Sequence, residues 1–320
     1  MNRNIKILAG LVRYLSPSPI KGVIDSLSWQ QEKKRSLNIA EHYHVSKEEF
    51  EAALAQIDLD GYDTVFLHTS LRNIGKVKGG VKFMVNTLLD FVGLDYRTLL
   101  VSALPYRGSF ADYLTTHKTF DVRTAPIAMG SINEAIAKHD GALRSVHPTH
   151  SVVAIGPRAS EFVVGHSDAP TPFAASSPYY KFVQSRGCAL LIGATLNNMT
   201  FVHVIEDMLG DAFPIAPYCS KSFRISCTNA DGKTVDVTTR CHKRFWGIFR
   251  DTERLLPDMM SCGAVRRWPL GAGYITQVDA YKFVRRYLEL LSQGRSIYGR
   301  HWPTKELKAR TQELISDLDK

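Results

Sequence analysis

Cys188-Ala189-Leu190-Leu191-Ile192-Gly193 is an apolar run closed by glycine, and it leads through Asn197-Asn198 into Thr200-Phe201-Val202-His203-Val204-Ile205-Glu206. A short apolar run bounded by turn residues reads as a strand buried on both faces. The stretch after it predicts a helix from about Thr200 to Leu209, with Phe201, Val204, Ile205 and Met208 as its core-facing stripe. On that helix Thr200, His203 and Glu206 stand at i, i+3 and i+6, within an arc of about 120°. They share a face at the carboxyl end of a strand, where open α/β sheets place their ligands. One segment therefore predicts both a fold class and the position of a site.

The same alternation extends in both directions. Thr64-Val65-Phe66-Leu67 reads as a strand ending in His68-Thr69-Ser70, and Gly75 and Gly79-Gly80 punctuate a loop before a helical pattern from Val81 to Phe91. Thr98 to Leu104 is a further strand, ended by Pro105; a helix from about Ile127 to Lys138 and a strand from Ser151 to Ile155 follow. Phe223 to Cys227 and Thr234 to Thr238 alternate across Asn229-Ala230-Asp231-Gly232, a hairpin pattern. Asp279 to Ser292 and Lys305 to Leu318 read as helices. The expected architecture is a three-layer α/β/α domain over 58–320, with a mainly parallel or mixed central sheet and an antiparallel hairpin annex near 221–241. Residues 1–57 read as a helical N-terminal extension, in which Ser46-Lys47-Glu48-Glu49 has the composition of a capped helix start.

Composition narrows the function classes. The 320 residues are 44% hydrophobic and 22% charged, ordinary for a globular protein, and no apolar run approaches the ~20 residues of a membrane span. Ile5 to Leu15 is apolar except for Lys6 and Arg13, but Arg13 interrupts it and no small-residue cleavage pattern precedes Ser16-Pro17-Ser18-Pro19, so a secretory leader is not expected. The segment reads as a helix that packs on the body of the protein, on a second subunit of a homo-oligomer, or on a membrane face. Five cysteines, an odd number without Cys-x-x-Cys spacing, suggest neither a disulfide framework nor a zinc knuckle and fit the cytoplasm, including its membrane-facing side. No metal-ligand cluster stands out, and no Gly-x-Ser-x-Gly elbow supports a serine hydrolase. The net charge of +9 is scattered, with small clusters at Lys33-Lys34-Arg35, Arg266-Arg267 and Arg285-Arg286. It favours anionic ligands, while the lack of a basic stripe with interleaved aromatics argues against nucleic acid.

Two histidine segments carry chemistry. His203 has the unperturbed pKa of a general base near neutral pH, and Glu206, one turn on, is placed to orient its ring; the helix N-terminus would favour the neutral imidazole. Thr200 is suited to capping the helix or to donating a hydrogen bond. In Arg144-Ser145-Val146-His147-Pro148-Thr149-His150-Ser151 the proline holds His147 extended, either aimed into a cleft or bonded to backbone.

These blocks, in this order and spacing, resemble those of the aminoglycoside 3-N-acetyltransferase family, whose members move an acetyl group from acetyl-coenzyme A to a sugar amine. Phe120-Asp121, Ala125-Pro126, Pro172-Phe173, Ser177-Pro178-Tyr179-Tyr180 and Gly271-Ala272-Gly273 add to the agreement, which spans roughly 60 to 290. The resemblance implies a CoA-dependent N-acetyltransferase with acetyl-CoA as co-substrate and no metal. His203, Glu206, Thr200 and His147 are its catalytic set. His68, Thr69, Ser70, Leu71, Gly75, Pro105, Arg144, Ser145 and Ser151 fall on the coenzyme side. It also implies direct attack of the amine on the thioester. The basic composition turns the acceptor expectation toward an amino sugar of a nucleotide-sugar or surface-polysaccharide pathway. An aminoglycoside, as in antibiotic resistance, and a non-catalytic CoA-binding role are the alternatives.

Overall fold

The apolar runs become strands of one seven-stranded sheet. In chain order the strands that matter are β1 (Thr64–Thr69), β2 (Thr98–Ser102), β3 (Thr119–Asp121), β4 (Leu143–Arg144), β5 (Val152–Ile155), β6 (Cys188–Ile192), β7 (Tyr218–Thr228), β8 (Thr234–His242), β9 (Val265–Leu270) and β10 (Gly273–Asp279). The central sheet runs β9-β10-β6-β1-β2-β5-β4. Its middle trio β6, β1 and β2 is parallel, and every other neighbouring pair is antiparallel. The sheet is therefore mixed, as one of the two expected forms allowed. The computed structural model describes residues 3–15 and 18–320; the Ser16-Pro17 junction, read above as following the N-terminal apolar stretch, lies outside them.

Side chains alternate across the sheet with period two, and two separate cores result. Phe66, Leu100, Ala154, Ala189 and Leu191 face one layer, with Phe201, Phe283, Tyr287 and Leu314 from its helices. Val65, Leu67, Val101, Ile155 and Leu190 face the other, with Met84, Leu88, Ile132 and Ile136. Helices on both faces give the three layers. Val45, Phe50, Leu54 and Ile57 are buried in that second core, so the last part of the 1–57 segment is packed into the body. Its earlier part forms helices Arg3–Leu15 and Ser18–His42. Ser46 caps helix Lys47–Leu54 by a full capping box with Glu49.

The hairpin annex gains a member that the sequence did not suggest: β3 adds parallel to β7, giving the order β8-β7-β3. Three residues are too few to show a period. The predicted helix from Ile127 starts only at Ser131, because Gly130 has φ of +112° and the Ala128 N–H bonds the Leu104 carbonyl instead. β9 and β10, also unanticipated, turn at Gly271, where φ is +55° and a β-carbon would strike the Ile74 carbonyl oxygen. Among the described residues no helix is long and apolar enough to cross a membrane. Helix Arg3–Leu15 lies against helix Arg244–Phe249, with Gly10 on Ile248 and Tyr14 edge-on to Phe245 at 5.8 Å.

Candidate active site

The parallel strands β1, β2 and β6 end together, and the chain leaving β6 turns into a 3₁₀ segment, Thr200–His203, before α-helix Val204–Leu209 begins. The single α-helix expected over 200–209 is thus two helices. Side chains three apart eclipse in a 3₁₀ turn, so Thr200 and His203 still share an edge, and the α-turn carries it on to Glu206. The face does not look out of an opening, however. His203 and Glu206 are only 3% and 2% exposed.

What covers them is a hydrogen-bonded chain. His203 Nδ1 is 2.8 Å from Glu206 Oε1, Tyr298 donates its hydroxyl to the same oxygen at 2.7 Å, and His242 Nε2 is 2.8 Å from Glu206 Oε2. With Nδ1 donating to the carboxylate, His203 Nε2 carries the lone pair, and Arg250 Nη1 donates to it at 2.8 Å. Phe173 packs on both imidazoles, 5.1 Å from His203 and 5.7 Å from His242. Burial pushes the His203 imidazole down to about 4, against the opposing pull of Glu206; burial, more than the helix terminus, keeps this ring neutral. Burial alone would push the Glu206 carboxyl up, but the pull of the two imidazoles outweighs it and holds the group well below the usual carboxylate range. Asp207 beside it, accepting from Tyr218 and Thr171, is raised by burial to about 6.

The ligand atoms of His203, Glu206 and His242 lie within 4.8 Å of one another, a grouping that could also hold a cation. The two nitrogen-to-oxygen separations of 2.8 Å are hydrogen-bond lengths, whereas two ligands each about 2.0 to 2.1 Å from zinc in tetrahedral geometry stand roughly 3.3 Å apart. As built, the set is a carboxylate bridging two imidazoles.

His147, expected in the catalytic set, is elsewhere employed. It is fully buried, its Nδ1 accepts from the Thr149 and His150 amides, its Nε2 meets Thr239 Oγ1 at 3.2 Å, and its ring stacks on His166. Arg144 is likewise spent. Its five N–H donors go to Ser151 Oγ and to the carbonyls of Val122, Ala125, Ala103 and Pro126, which leaves none for a coenzyme phosphate. Ser145 joins His166 Nδ1 to the Val152 amide, and Ser151 donates to the Ala103 carbonyl. The Arg144 to Ser151 block is a brace between the annex and the central sheet. Gly75, also placed on the coenzyme side, has a structural reason to be glycine: φ is +107° and a β-carbon would strike the Tyr43 carbonyl. The Ser70 amide bonds Ile192 O, Leu71 packs on the second core, and Pro105 is buried just past β2.

The remaining expected residues do converge. His68 and Thr69 end β1 beside Ile192 of β6, and Thr69 Oγ1 reaches Asn133 Oδ1, whose amide nitrogen holds the Ser102 carbonyl. At this edge His68 Nε2 is buried without a hydrogen-bond partner, and the buried hydroxyls of Ser102 and Thr200 meet that of Tyr179 without forming a well-aligned bond. Thr200 does not cap the helix. A hydroxyl hydrogen rotates to suit its partner, so the three hydroxyls that meet here could turn to a bound acceptor atom such as a thioester carbonyl oxygen.

His242, Arg250 and Tyr298 were not found from the sequence. Each lies far along the chain from Glu206, with no spacing to mark it. The annex delivers His242: the pairing of β8 with β7 shifts register between Arg240 and His242, setting His242 opposite Tyr218, whose ring stacks on it at 4.5 Å. A bulge that re-aims a side chain beside a site is a recurrent device.

The comparisons with known proteins bear on the family and the fold. The family model for aminoglycoside 3-N-acetyltransferase matches residues 66–292. Aminoglycoside N(3)-acetyltransferase IX of Micromonospora chalcea is 32% identical over 273 residues, 75% of this chain and 89% of its own length. A type III enzyme of the same name from Salmonella sp. is 33% identical over 48% of this chain and 57% of its own. The crystal structure of aminoglycoside acetyltransferase AAC(3)-Xa superposes with a TM-score of 0.63 at 28% identity, covering 80% of this chain and 95% of that one. AAC-IIIb, solved as a binary complex with coenzyme A, shares the fold at a TM-score of 0.63 and 21% identity, covering 78% and 97%. The annex, the three layers and the bent strand-to-helix segment bearing His203 and Glu206 are thus parts of an acyltransferase, and the chain belongs to the aminoglycoside 3-N-acetyltransferase family.

Proposed function

We propose that this protein transfers the acetyl group of acetyl-CoA to the 3-amino group of an aminoglycoside. The observation that carries the reading is the bonded pair at the bend: Glu206 fixes His203 as the Nδ1–H tautomer, and burial leaves its Nε2 unprotonated near neutral pH. A base so prepared takes a proton from an amine as its nitrogen attacks a thioester carbonyl. The carbon–nitrogen bond forms, the carbon–sulfur bond breaks, and the proton passes from His203 to the leaving thiolate. Attack is direct: the group touching His203 Nε2 is a guanidinium, and among the described residues no hydroxyl or thiol is hydrogen-bonded to that nitrogen to form an acyl-enzyme. Acetyl-CoA supplies the activated acetyl group. Ser102, Tyr179 and Thr200, whose hydroxyls meet at this edge, would turn to donate to the thioester oxygen, which gathers charge in the tetrahedral transition state.

The relatives favour a different acceptor from the one expected from net charge. A nucleotide-sugar or polysaccharide acceptor rested on the excess of basic residues, yet Arg285 and Arg286 pair with Glu289, Asp319 and Asp258, and Arg267 pairs with Glu253. These clusters are solvated ion pairs, and the curated relatives named above are aminoglycoside enzymes. The test is thiol release from acetyl-CoA with sisomicin or gentamicin as acceptor, with the acetylated nitrogen located by NMR. Acetylation at the 3-amine, abolished in His203→Ala, is the expected result; binding of acetyl-CoA with no acceleration by any aminoglycoside would overturn the proposal.

A further inference from the structure

One side-chain nitrogen of the Arg144 to Ser151 brace is uncommitted. His150 is only 6% exposed, and its ring makes one hydrogen bond, between Nδ1 and Thr149 Oγ1 at 2.9 Å; among the described residues nothing bonds its Nε2. Buried polar groups are nearly always paired, and this ring borders the candidate site. Phe173 packs 5.0 Å from His150, 5.1 Å from His203 and from Tyr179, and 5.7 Å from His242. Phe110 stands edge-on to His150 at 5.2 Å and to His242 at 6.1 Å. His150 thus shares one aromatic wall with the base and with the tyrosine whose hydroxyl meets those of Ser102 and Thr200.

The hydrogen bonds around His150 fix where its proton sits. His147 Nδ1 accepts from the Thr149 and His150 amides, so it has no proton to give and its lone pair is already shared. The Thr149 hydroxyl is 3.4 Å from that nitrogen and 2.9 Å from His150 Nδ1. It therefore donates to His150, and a neutral imidazole that accepts at Nδ1 carries its hydrogen on Nε2. Burial drives the His150 imidazole well below its ordinary pKa, with the nearby His242 and His203 acting in the same direction, so the ring is uncharged at neutral pH. What borders the site is a fixed, neutral N–H donor without a partner.

We propose that His150 donates from Nε2 to the thioester carbonyl oxygen as that oxygen takes on charge, alongside the Ser102, Tyr179 and Thr200 hydroxyls. The proposal rests on the reading of this site as an acetyltransferase with His203 as base. The two histidines then divide the work by tautomer. His203, protonated on Nδ1, has a lone pair on Nε2 to take the amine proton; His150, protonated on Nε2, offers a hydrogen to the oxygen and keeps it throughout. A neutral imidazole is a weak acid, so it stabilises the oxyanion without protonating it. An uncharged donor also adds no repulsion toward an acceptor that carries several ammonium groups.

The experiment compares the full-length wild type with His150→Leu, His150→Gln and Thr149→Val, on acetyl-CoA and sisomicin, with rates taken per folded molecule after a thermal melt. His150→Leu is expected to lower kcat about 10²-fold, the usual loss for one oxyanion donor, with both KM values little changed. His150→Gln, whose amide nitrogen reaches the same place, should regain about tenfold of that loss. Thr149→Val leaves the ring but removes the donor to Nδ1, and kcat should fall about tenfold as the proton moves to that nitrogen. NMR titration of nitrogen-labelled histidine gives a readout independent of turnover. His150 should carry its proton on Nε2 in wild type at pH 7.5 and on Nδ1 in Thr149→Val, and the Nε2–H resonance should shift when the ketone analogue of acetyl-CoA, with methylene in place of sulfur, binds. A proton on Nδ1 in wild type, an Nε2–H that ignores the bound ketone, or a His150→Leu effect confined to KM for sisomicin would overturn the proposal; the last would assign the donor to the acceptor instead. If wild type acetylates no aminoglycoside, the functional reading fails on its own, and the response of the His150 Nε2–H to the ketone analogue still decides on His150.

Discussion

Two histidine-bearing segments of this chain resemble reaction machinery equally well as strings of letters, and the fold uses them in opposite ways. In the bend after β6, His203 has one nitrogen fixed by Glu206 and the other turned toward a side chain that can move. In the Arg144 to Ser151 block, His147 has both nitrogens committed to backbone amides and a threonine, and Arg144 has all five donors committed. The difference lies in what remains uncommitted. A group that the protein satisfies completely holds structure together, and a group left one bond short, or bonded to something displaceable, is available for chemistry.

The most direct way to break this contrast is to remove each histidine. His203→Ala is expected to lower kcat per folded molecule by about 10³-fold, within the usual contribution of a general base, and, because it also deletes a buried ring bonded to Glu206, to lower the melting temperature; steady-state kinetics and a thermal melt check both. Glu206→Gln should cost less in rate, about 10²-fold, because the ring keeps a neutral partner. His147→Ala should cost stability and spare the rate. It deletes a fully buried ring and strands two amides, so a loss of about 2 to 4 kcal/mol in unfolding free energy is expected, with kcat per folded molecule within about twofold. Arg144→Met should follow it, with an unchanged KM for acetyl-CoA. If His147→Ala stays folded and loses activity as His203→Ala does, the distinction drawn here collapses.

The strands of the parallel trio and the His203–Glu206 pair were legible in the sequence because each rests on local periodicity: an unbroken apolar run, then polar residues three apart. The inward stripe Phe201, Val204, Ile205 was legible for the same reason, and all three are fully buried. His242, Arg250 and Tyr298 were not, since they reach Glu206 and His203 only after a bulged hairpin, a short helix and a turn near Ile297 have folded. Of the set expected on the coenzyme side, only the position of His68 and Thr69 in the fold was legible. His68 and Thr69 end a strand and so stand at the sheet edge by construction, whereas the fate of Arg144 depended on where the carbonyls of Ala103, Val122, Ala125 and Pro126 would fall, which no spacing encodes. Net charge was a weak guide to the acceptor, because a charge count does not show which basic residues are already paired, as Arg285 is with Asp319 and Arg267 with Glu253.

The contrast also has a signature in pH. Burial depresses His68 and His203 to about 4 and His166 to about 3, and drives His147 and His150 well below their ordinary value. For each of them the unfolded chain binds the proton first as pH falls below about 6.5, so native stability is full above that pH and declines toward pH 4. Asp207, raised by burial to about 6, works in the opposite direction between about pH 4 and 6, one group against five. Each buried histidine contributes up to about 1.4 kcal/mol per pH unit in this window. Urea unfolding at pH 7.5, 6 and 5 should therefore show a steep loss of stability, and the slope should be shallower in His147→Ala, which removes one such group. A slope unchanged by that substitution would mean that His147 is already protonated in the native state.

The smallest effect expected sharpens the contrast within the site itself. Tyr298 donates to the same Glu206 oxygen as His203 Nδ1, and its ring also lies 6.2 Å from Trp246, in the helix that precedes Arg250. Tyr298→Phe keeps the ring and deletes one of three donors to the carboxylate. A single net hydrogen bond of about 1 kcal/mol corresponds to roughly a fivefold loss in kcat, far short of Glu206→Gln, because His203 and His242 still hold the carboxylate from both sides. The freed oxygen then gives more of its charge to the His203 N–H, so the imidazole should take its proton at higher pH than in wild type, measured by the same histidine NMR titration. A loss as large as that of Glu206→Gln would make Tyr298 an equal partner in fixing the base; no change in either rate or titration would show that the two imidazoles alone set the Glu206 charge.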